Sequence, residues 1–184
     1  MLYKMQINIQ EYPFYKTPYA ITVCRIEPEN NTHLILEAFS YQTSIPLAVI
    51  GNWKNSSYGL ELLQKYKQFN HIHLVDPIYD SERINFLRSH ALLYIHGHSA
   101  GGTNPSLVEA MFLGLPIFAF DCIYNRHTTE NQCIYWSNVD ELYNYITQYN
   151  KLKLDIISKN MKSIASKRYL WNTIVSKYES LFNS

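Results

Sequence analysis

Between His96 and Met111 the sequence reads HGHSAGGTNPSLVEAM, an order of residue types that could hold an anion beside a sugar hydroxyl. Gly101 and Gly102 allow positive φ and let a ligand come close to the backbone. Asn104 is a favoured helix N-cap and Pro105 a favoured first helical residue. The amides around Ser106 and Leu107 would then point out of the positive end of a helix, a ready pyrophosphate site. Glu109 lies one turn further in and projects back toward that end. A carboxylate there does not favour phosphate, but it can accept hydrogen bonds from the two hydroxyls of a ribose. Taken one by one these features describe a capped helix joining two strands, with Glu109 in solvent; together they favour a ligand site. Arg25 adds a cation at the carboxyl end of an earlier apolar run, placed for a bidentate phosphate contact or for a surface ion pair with a nearby glutamate.

Such residues need a scaffold that gathers loops, and the sequence supplies one. Short apolar runs alternate with helical patterns. Residues 20–25, 46–51, 72–75, 92–95 and 117–120 read as strands. The intervening stripes (Leu34, Ile35, Ala38, Phe39; Leu62, Leu63, Tyr66, Phe69; Ile84, Leu87, Ala91; residues 105–113) follow helical spacing. Asn31 and Thr32 can cap the first helix, and Asp80 and Ser81 precede the third. Continuous apolar strands separated by single helices imply a parallel sheet covered on both faces. The fold class expected is therefore α/β, a Rossmann-like doubly wound sheet, whose ligands bind beyond the carboxyl ends of the strands. Residues 19–138 would form this core and 139–184 a helical C-terminal segment, within one domain spanning 1–184. In that segment Trp171, Tyr178 and Phe182 give the last helix a broad aromatic face, a candidate surface for self-association.

The motifs resemble the signature of glycosyltransferase group 1, retaining enzymes of the two-domain GT-B architecture. Glu109-Ala110-Met111 and Gly114-Leu115-Pro116 match its second half. Gly101 stands where that family carries a first glutamate, which contacts the donor sugar. Arg25-Ile26-Glu27-Pro28-Glu29-Asn30 resembles the family's other phosphate-binding segment, with Asn30 at the place of a lysine. The HGHSAGGTNPS wording is similar to a bacterial rhamnosyltransferase branch that uses a nucleotide-activated deoxysugar such as dTDP-rhamnose. The resemblance implies a donor half: Arg25, Asn30, Gly51, Ile78, Ser106, Leu107 and Glu109 around the nucleotide, with His98, Gly101, Gly102, Thr103 and Asn104 toward the sugar. Ile78, in the loop Asp76-Pro77-Ile78-Tyr79, would meet the base through its backbone. Asp121, Asn125 and Arg126 would face the cleft or do ordinary loop work. The acceptor would be a glycan or lipid-linked glycan in surface polysaccharide synthesis, held by an N-terminal domain preceding Tyr19. This chain alone would then not transfer sugar. A GT-B epimerase half or a non-catalytic nucleotide-sugar-binding module are the alternatives. A dehydrogenase fits less well, because no dinucleotide fingerprint follows the first strand.

Composition narrows the partners. A net charge of +1 gives no global field to hold nucleic acid, and the 16 tyrosines are scattered rather than arrayed with basic residues. Cys24, Cys122 and Cys133 lack zinc spacing and read as buried thiols of a reducing compartment. His71/His73 and His96/His98 each place two imidazoles on one strand face, but no carboxylate or thiolate completes a set. No metal or other cofactor is expected beyond the donor itself. The first ten residues lack a signal pattern, and no apolar run would span a bilayer. A cytoplasmic protein is expected, peripheral attachment to the membrane's inner face remaining open.

Overall fold

The structure is a computed structural model that describes residues 11–41 and 43–182. Six parallel strands, β1 (Ala20–Val23), β2 (Leu47–Ile50), β3 (Ile72–Val75), β4 (Leu93–His96), β5 (Ile117–Phe120) and β6 (Ile134–Trp136), form one sheet in the order β3-β2-β1-β4-β5-β6. The strands are linked by α1 (Thr32–Ser40), α2 (Ser57–Tyr66), α3 (Ser81–His90), α4 (Pro105–Phe112) and α5 (Ile123–Thr128). Three further helices follow: α6 (Val139–Thr147), α7 (Lys151–Arg168) and α8 (Trp171–Phe182).

Burial explains the apolar runs. Every residue of β2 and β4 is buried, so both faces of the sheet are covered. Trp53, Trp136, Tyr19, Tyr66, Phe39 and Phe118 are fully buried around the sheet. Each side chain of this size contributes about 1.5–3 kcal/mol on leaving water. Thr22, the one polar residue of β1, is satisfied by donating Oγ1–H to the carbonyl oxygen of Ile95 at 3.0 Å. Ser56, Asp80, Asn104 and Asn138 cap α2, α3, α4 and α6 through their side-chain oxygens.

Three expectations are corrected. The five strands read from the sequence are joined by a sixth, β6, which follows α5; only three of its residues pair, too short a run to show an alternation. Asn31 does not cap α1 with its side chain; it sits at φ 47° and donates Nδ2–H to the carbonyl oxygen of Gly97 at 2.9 Å. The three thiols are free but half-buried. Burial still pushes Cys24 up to about 11.

Candidate functional site

The strand order reverses between β1 and β4, and a doubly wound sheet opens its ligand crevice at that reversal. The loops after these two strands are joined there. Ser99 donates both N–H and Oγ–H to the carbonyl oxygen of Glu29, at 2.9 and 3.0 Å. A Cβ on Gly97 would lie 2.1 Å from the carbonyl oxygen of Asn30, so only glycine lets the two loops close. Gly51 has the same role across β2, where a Cβ would lie 2.5 Å from the carbonyl oxygen of Cys24. Two adjoining cavities result. One, about 420 Å³, is lined by Arg25, Gly51, Asn52, Ile78, Tyr79 and Ser106. The other, more enclosed and about 240 Å³, is lined by Arg25, Asn30, His96, His98, Asn104 and Ser106.

Arg25 belongs to both cavities. Its backbone is fixed, since its carbonyl oxygen accepts from the Glu27 amide at 3.0 Å and from Asn30 Nδ2 at 2.9 Å. Its side chain is exposed and makes no ion pair among the described residues, so the surface pair with a glutamate is absent. The guanidinium is free for an anion.

The amides expected to hold that anion are not the ones available. Ser106 N–H donates to Asn104 Oδ1 at 2.9 Å, and Leu107 N–H to the Asn104 carbonyl oxygen at 3.1 Å. The cap residue that makes the helix start legible also consumes its first donors. Leu107 itself is fully buried in the core. The unused donors lie one step earlier: the N–H groups of Gly101, Gly102, Thr103 and Asn104 have no acceptor among the described residues. Gly101 alone of the glycine pair has positive φ, at 78°. A Cβ on Gly102 would meet nothing within 4 Å, so the segment borders open space.

Both polar atoms of the Asn30 side chain are engaged within the protein. It is buried, with Nδ2 on the Arg25 carbonyl oxygen and Oδ1 2.9 Å from His98 Nδ1. His98 is braced again where its carbonyl oxygen accepts from Asn125 Nδ2 at 2.8 Å. His96 stacks on Tyr94 beneath, with Nε2 buried and without a partner among the described residues. Burial foremost, then the neighbouring His98, pushes it down to about 3, so the ring is neutral. Glu109 is not simply solvated: Oε2 lies 2.7 Å from a terminal guanidinium nitrogen of Arg88 on α3. The arginine side chain is 4% exposed and the glutamate 53%, so one carboxylate oxygen is tethered while the group still reaches solvent. Ser106 and Glu109 are three residues apart and share a face of α4.

At the ends of the crevice, the backbone N–H and C=O of Ile78 are unused among the described residues, and Tyr79 beside it is 91% exposed. Asp121 and Arg126 pair with each other at 2.5 Å, which holds the Asp121 carboxyl below its usual range, and the guanidinium lies over the Tyr135 ring. His71 donates Nε2–H to the Phe39 carbonyl oxygen, 2.6 Å away, and His73 packs on Phe14. Among the described residues no group of three or more His, Cys, Asp or Glu could hold a metal ion, and no helix is long and apolar enough to cross a membrane.

The family described as glycosyl transferases group 1 matches residues 5–168. The chain belongs to that family. Its fold is shared with Anabaena HepE in complex with UDP-glucose, at a TM-score of 0.79 and 18% identity over 96% of this chain and 51% of that one. Sucrose-phosphate synthase of Thermosynechococcus elongatus gives 0.78 and 18%, over 92% and 45%. The C-terminal domain of the group 1 family glycosyl transferase LpcC from Francisella tularensis gives 0.70 and 19%, over 92% and 96%. The chain thus spans about half the length of the first two and nearly all of the isolated C-terminal domain. No curated protein matches the sequence.

Within this member of the group 1 family the crevice gathers Arg25, Asn30, Gly51, Ile78, His98, Asn104 and Ser106 at the cavity walls. Arg88 is the participant that the sequence reading missed. Ile84, Leu87, Arg88 and Ala91 fall at helical spacing, which sets an arginine on the buried stripe of α3. That was the available signal, since a charge on such a stripe requires a partner.

Proposed function

We propose that this chain is the donor half of a retaining glycosyltransferase, binding a nucleoside-diphosphate sugar at the β1–β4 crevice. The observation that carries the reading is the unpaired Arg25 guanidinium in a cavity that Asn104 also lines, with unused amides at Asn104 and in the adjoining Gly101–Thr103 segment. These groups would take up the charge that develops on the departing diphosphate, with little reorganisation at the moment of transfer. Glu109, held by Arg88, would accept from the ribose hydroxyls, and the free backbone of Ile78 would meet the base. HepE is complexed with UDP-glucose, and sharing its fold supports a nucleotide sugar of this kind here. The open space next to Gly101 and Gly102 would receive the sugar, a deoxysugar such as rhamnose in our reading. No metal enters this scheme, because Arg25 and the amides already supply positive charge.

Transfer also needs an acceptor held in line with the anomeric carbon, and positioning of that kind is worth several kcal/mol of barrier. We assign the acceptor, a glycan or lipid-linked glycan, to a separate domain. The face of α8 fits such a docking role: Trp171 is 76% and Phe182 84% exposed, more apolar surface than a free helix normally shows.

Calorimetric titration tests the reading. UDP and dTDP should bind with higher affinity than the monophosphates or free sugars, with chelators making no difference. Arg25→Ala should weaken diphosphate binding about tenfold or more, the loss shrinking as salt rises. Equal and negligible binding across the panel by a folded chain would remove the donor-site reading.

A further inference from the structure

The enclosed cavity between β1 and β4 contains one ring whose hydrogen-bond polarity is set by the protein itself. Asn30 donates Nδ2–H to the carbonyl oxygen of Arg25, which leaves Oδ1 as an acceptor. Nδ1 of His98, 2.9 Å from that Oδ1, must therefore carry the hydrogen. In the neutral ring the other nitrogen, Nε2, then holds a lone pair. It is the heavy atom nearest to a Cβ built on Gly101, 3.9 Å away, so it borders the segment with the unused amides. A lone pair there opposes a diphosphate oxygen, and a proton on the same atom attracts one.

Resting on the donor-site reading above, we propose that His98 is a second, conditional cation of the diphosphate site, taking up one proton as the diphosphate binds. The proton comes from the buffer and adds to Nε2; no covalent bond of the protein or ligand breaks. The resulting imidazolium donates Nδ1–H to Asn30 and Nε2–H to a non-bridging phosphate oxygen. Asn30, whose two side-chain polar atoms are both engaged, thus acts by fixing which nitrogen is presented.

The surrounding groups leave the proton to His98. From β4 comes His96, pushed down to about 3, and from the loop after β1 comes Cys24, pushed up to about 11. Neither changes charge near neutrality. Arg25 stays charged throughout. Glu29 meets this segment through its carbonyl oxygen, which Ser99 occupies. Cys122, ahead of α5, directs Sγ to the His98 carbonyl oxygen at 3.8 Å. The first turn of α4 holds no acidic residue. Imidazole is the side chain whose ordinary charge change falls between pH 5 and 8.

The test is calorimetric titration of UDP and dTDP in buffers of different ionisation enthalpy across pH 6–8.5, with wild type and His98→Gln. Subtracting the variant cancels the proton equilibrium of the ligand. Wild type should take up more protons than the variant, by between zero and one per diphosphate, and its affinity advantage should fade as pH rises, by up to about tenfold per unit. UMP and free sugar should show a smaller difference or none. Equal proton counts and parallel pH profiles for the two proteins, with binding intact, would overturn the role of His98 while leaving the donor site standing. Failure of UDP, dTDP, GDP and ADP to bind at all would overturn both.

Discussion

Replacing Glu109 by alanine separates the two jobs that the structure gives this carboxylate. It neutralises Arg88, whose side chain is 4% exposed, and it is itself 53% exposed. Removing one partner of a fully buried pair costs about 3–5 kcal/mol, whereas an exposed pair contributes about 0.2–1 kcal/mol. With one partner in the core and the other half in water, solvent screening puts the cost at about 1–2 kcal/mol. For a chain of this size that is a fall in Tm of roughly 2–8 °C. Nucleotide binding should weaken separately, by about 1–3 kcal/mol for ribose hydroxyls left without an acceptor. Glu109→Gln keeps the shape and an acceptor oxygen while losing the charge, so it should fall between alanine and wild type on both measures. Urea unfolding monitored by circular dichroism reads the first effect, and calorimetry with ribo- and 2′,3′-dideoxyribonucleoside diphosphates reads the second. Alanine should lose the preference for the ribo form. An alanine variant with wild-type unfolding midpoint and undiminished ribose preference would refute the dual role.

Two glycine substitutions should differ sharply. Gly97→Ala places a Cβ 2.1 Å from the Asn30 carbonyl oxygen, a backbone atom that cannot move without opening the joined loops, so a loss of about 1–3 kcal/mol or more is expected in thermal or urea unfolding. Gly102→Ala meets nothing within 4 Å and should unfold like wild type, while a larger residue there should lower donor affinity by filling the open space. Acid should also find His96: the folded ring is held neutral down to about 3, whereas the unfolded ring takes a proton near 6.5. Between those values the unfolded chain binds more protons, so the contribution of His96 is intact above about pH 6.5 and is lost progressively as pH falls toward 3. His96→Leu should flatten that part of the stability profile measured by denaturant titration; an unchanged slope would place the acid sensitivity elsewhere.

Much of this arrangement was legible because it follows from periodicity. Buried strands such as β2 and β4 read as apolar runs, and the Asn104-Pro105 start of α4 was marked by cap chemistry. What escaped depends on which partner a polar group finds. Asn104 was recognisable as a cap, yet nothing in the sequence says that its two oxygens would use the Ser106 and Leu107 amides and shift the free donors back to residues 101–104. Asn30 read as a residue beside the nucleotide, at the place of a lysine, although its side chain spans from the Arg25 carbonyl to His98, 68 residues away in the chain. Pairings at that separation are set by the sheet order, which local patterns do not encode. The C-terminal stripes show the same limit: Ile157, Met161 and Ile164 bury on the core, whereas the equally periodic face of α8 does not.

The joined loops also tie the crevice to the cooperativity of the whole domain. The bonds from Asn31 to Gly97 and from Glu29 to Ser99 span 66 and 70 residues, and they form only once β4 has docked beside β1. Loop closure over such distances costs chain entropy that must be met before these contacts can form. A partly folded chain that has formed only the β1–β3 half therefore has no binding site to offer. Any ligand seated there recognises the native state alone, and its full binding free energy adds to global stability as RT ln(1 + [L]/Kd). Occupancy at a hundredfold excess over Kd would add about 2.7 kcal/mol. The supply of ligand would then set how long the domain survives against proteolysis and heat, making its lifetime a readout of the pool it draws upon.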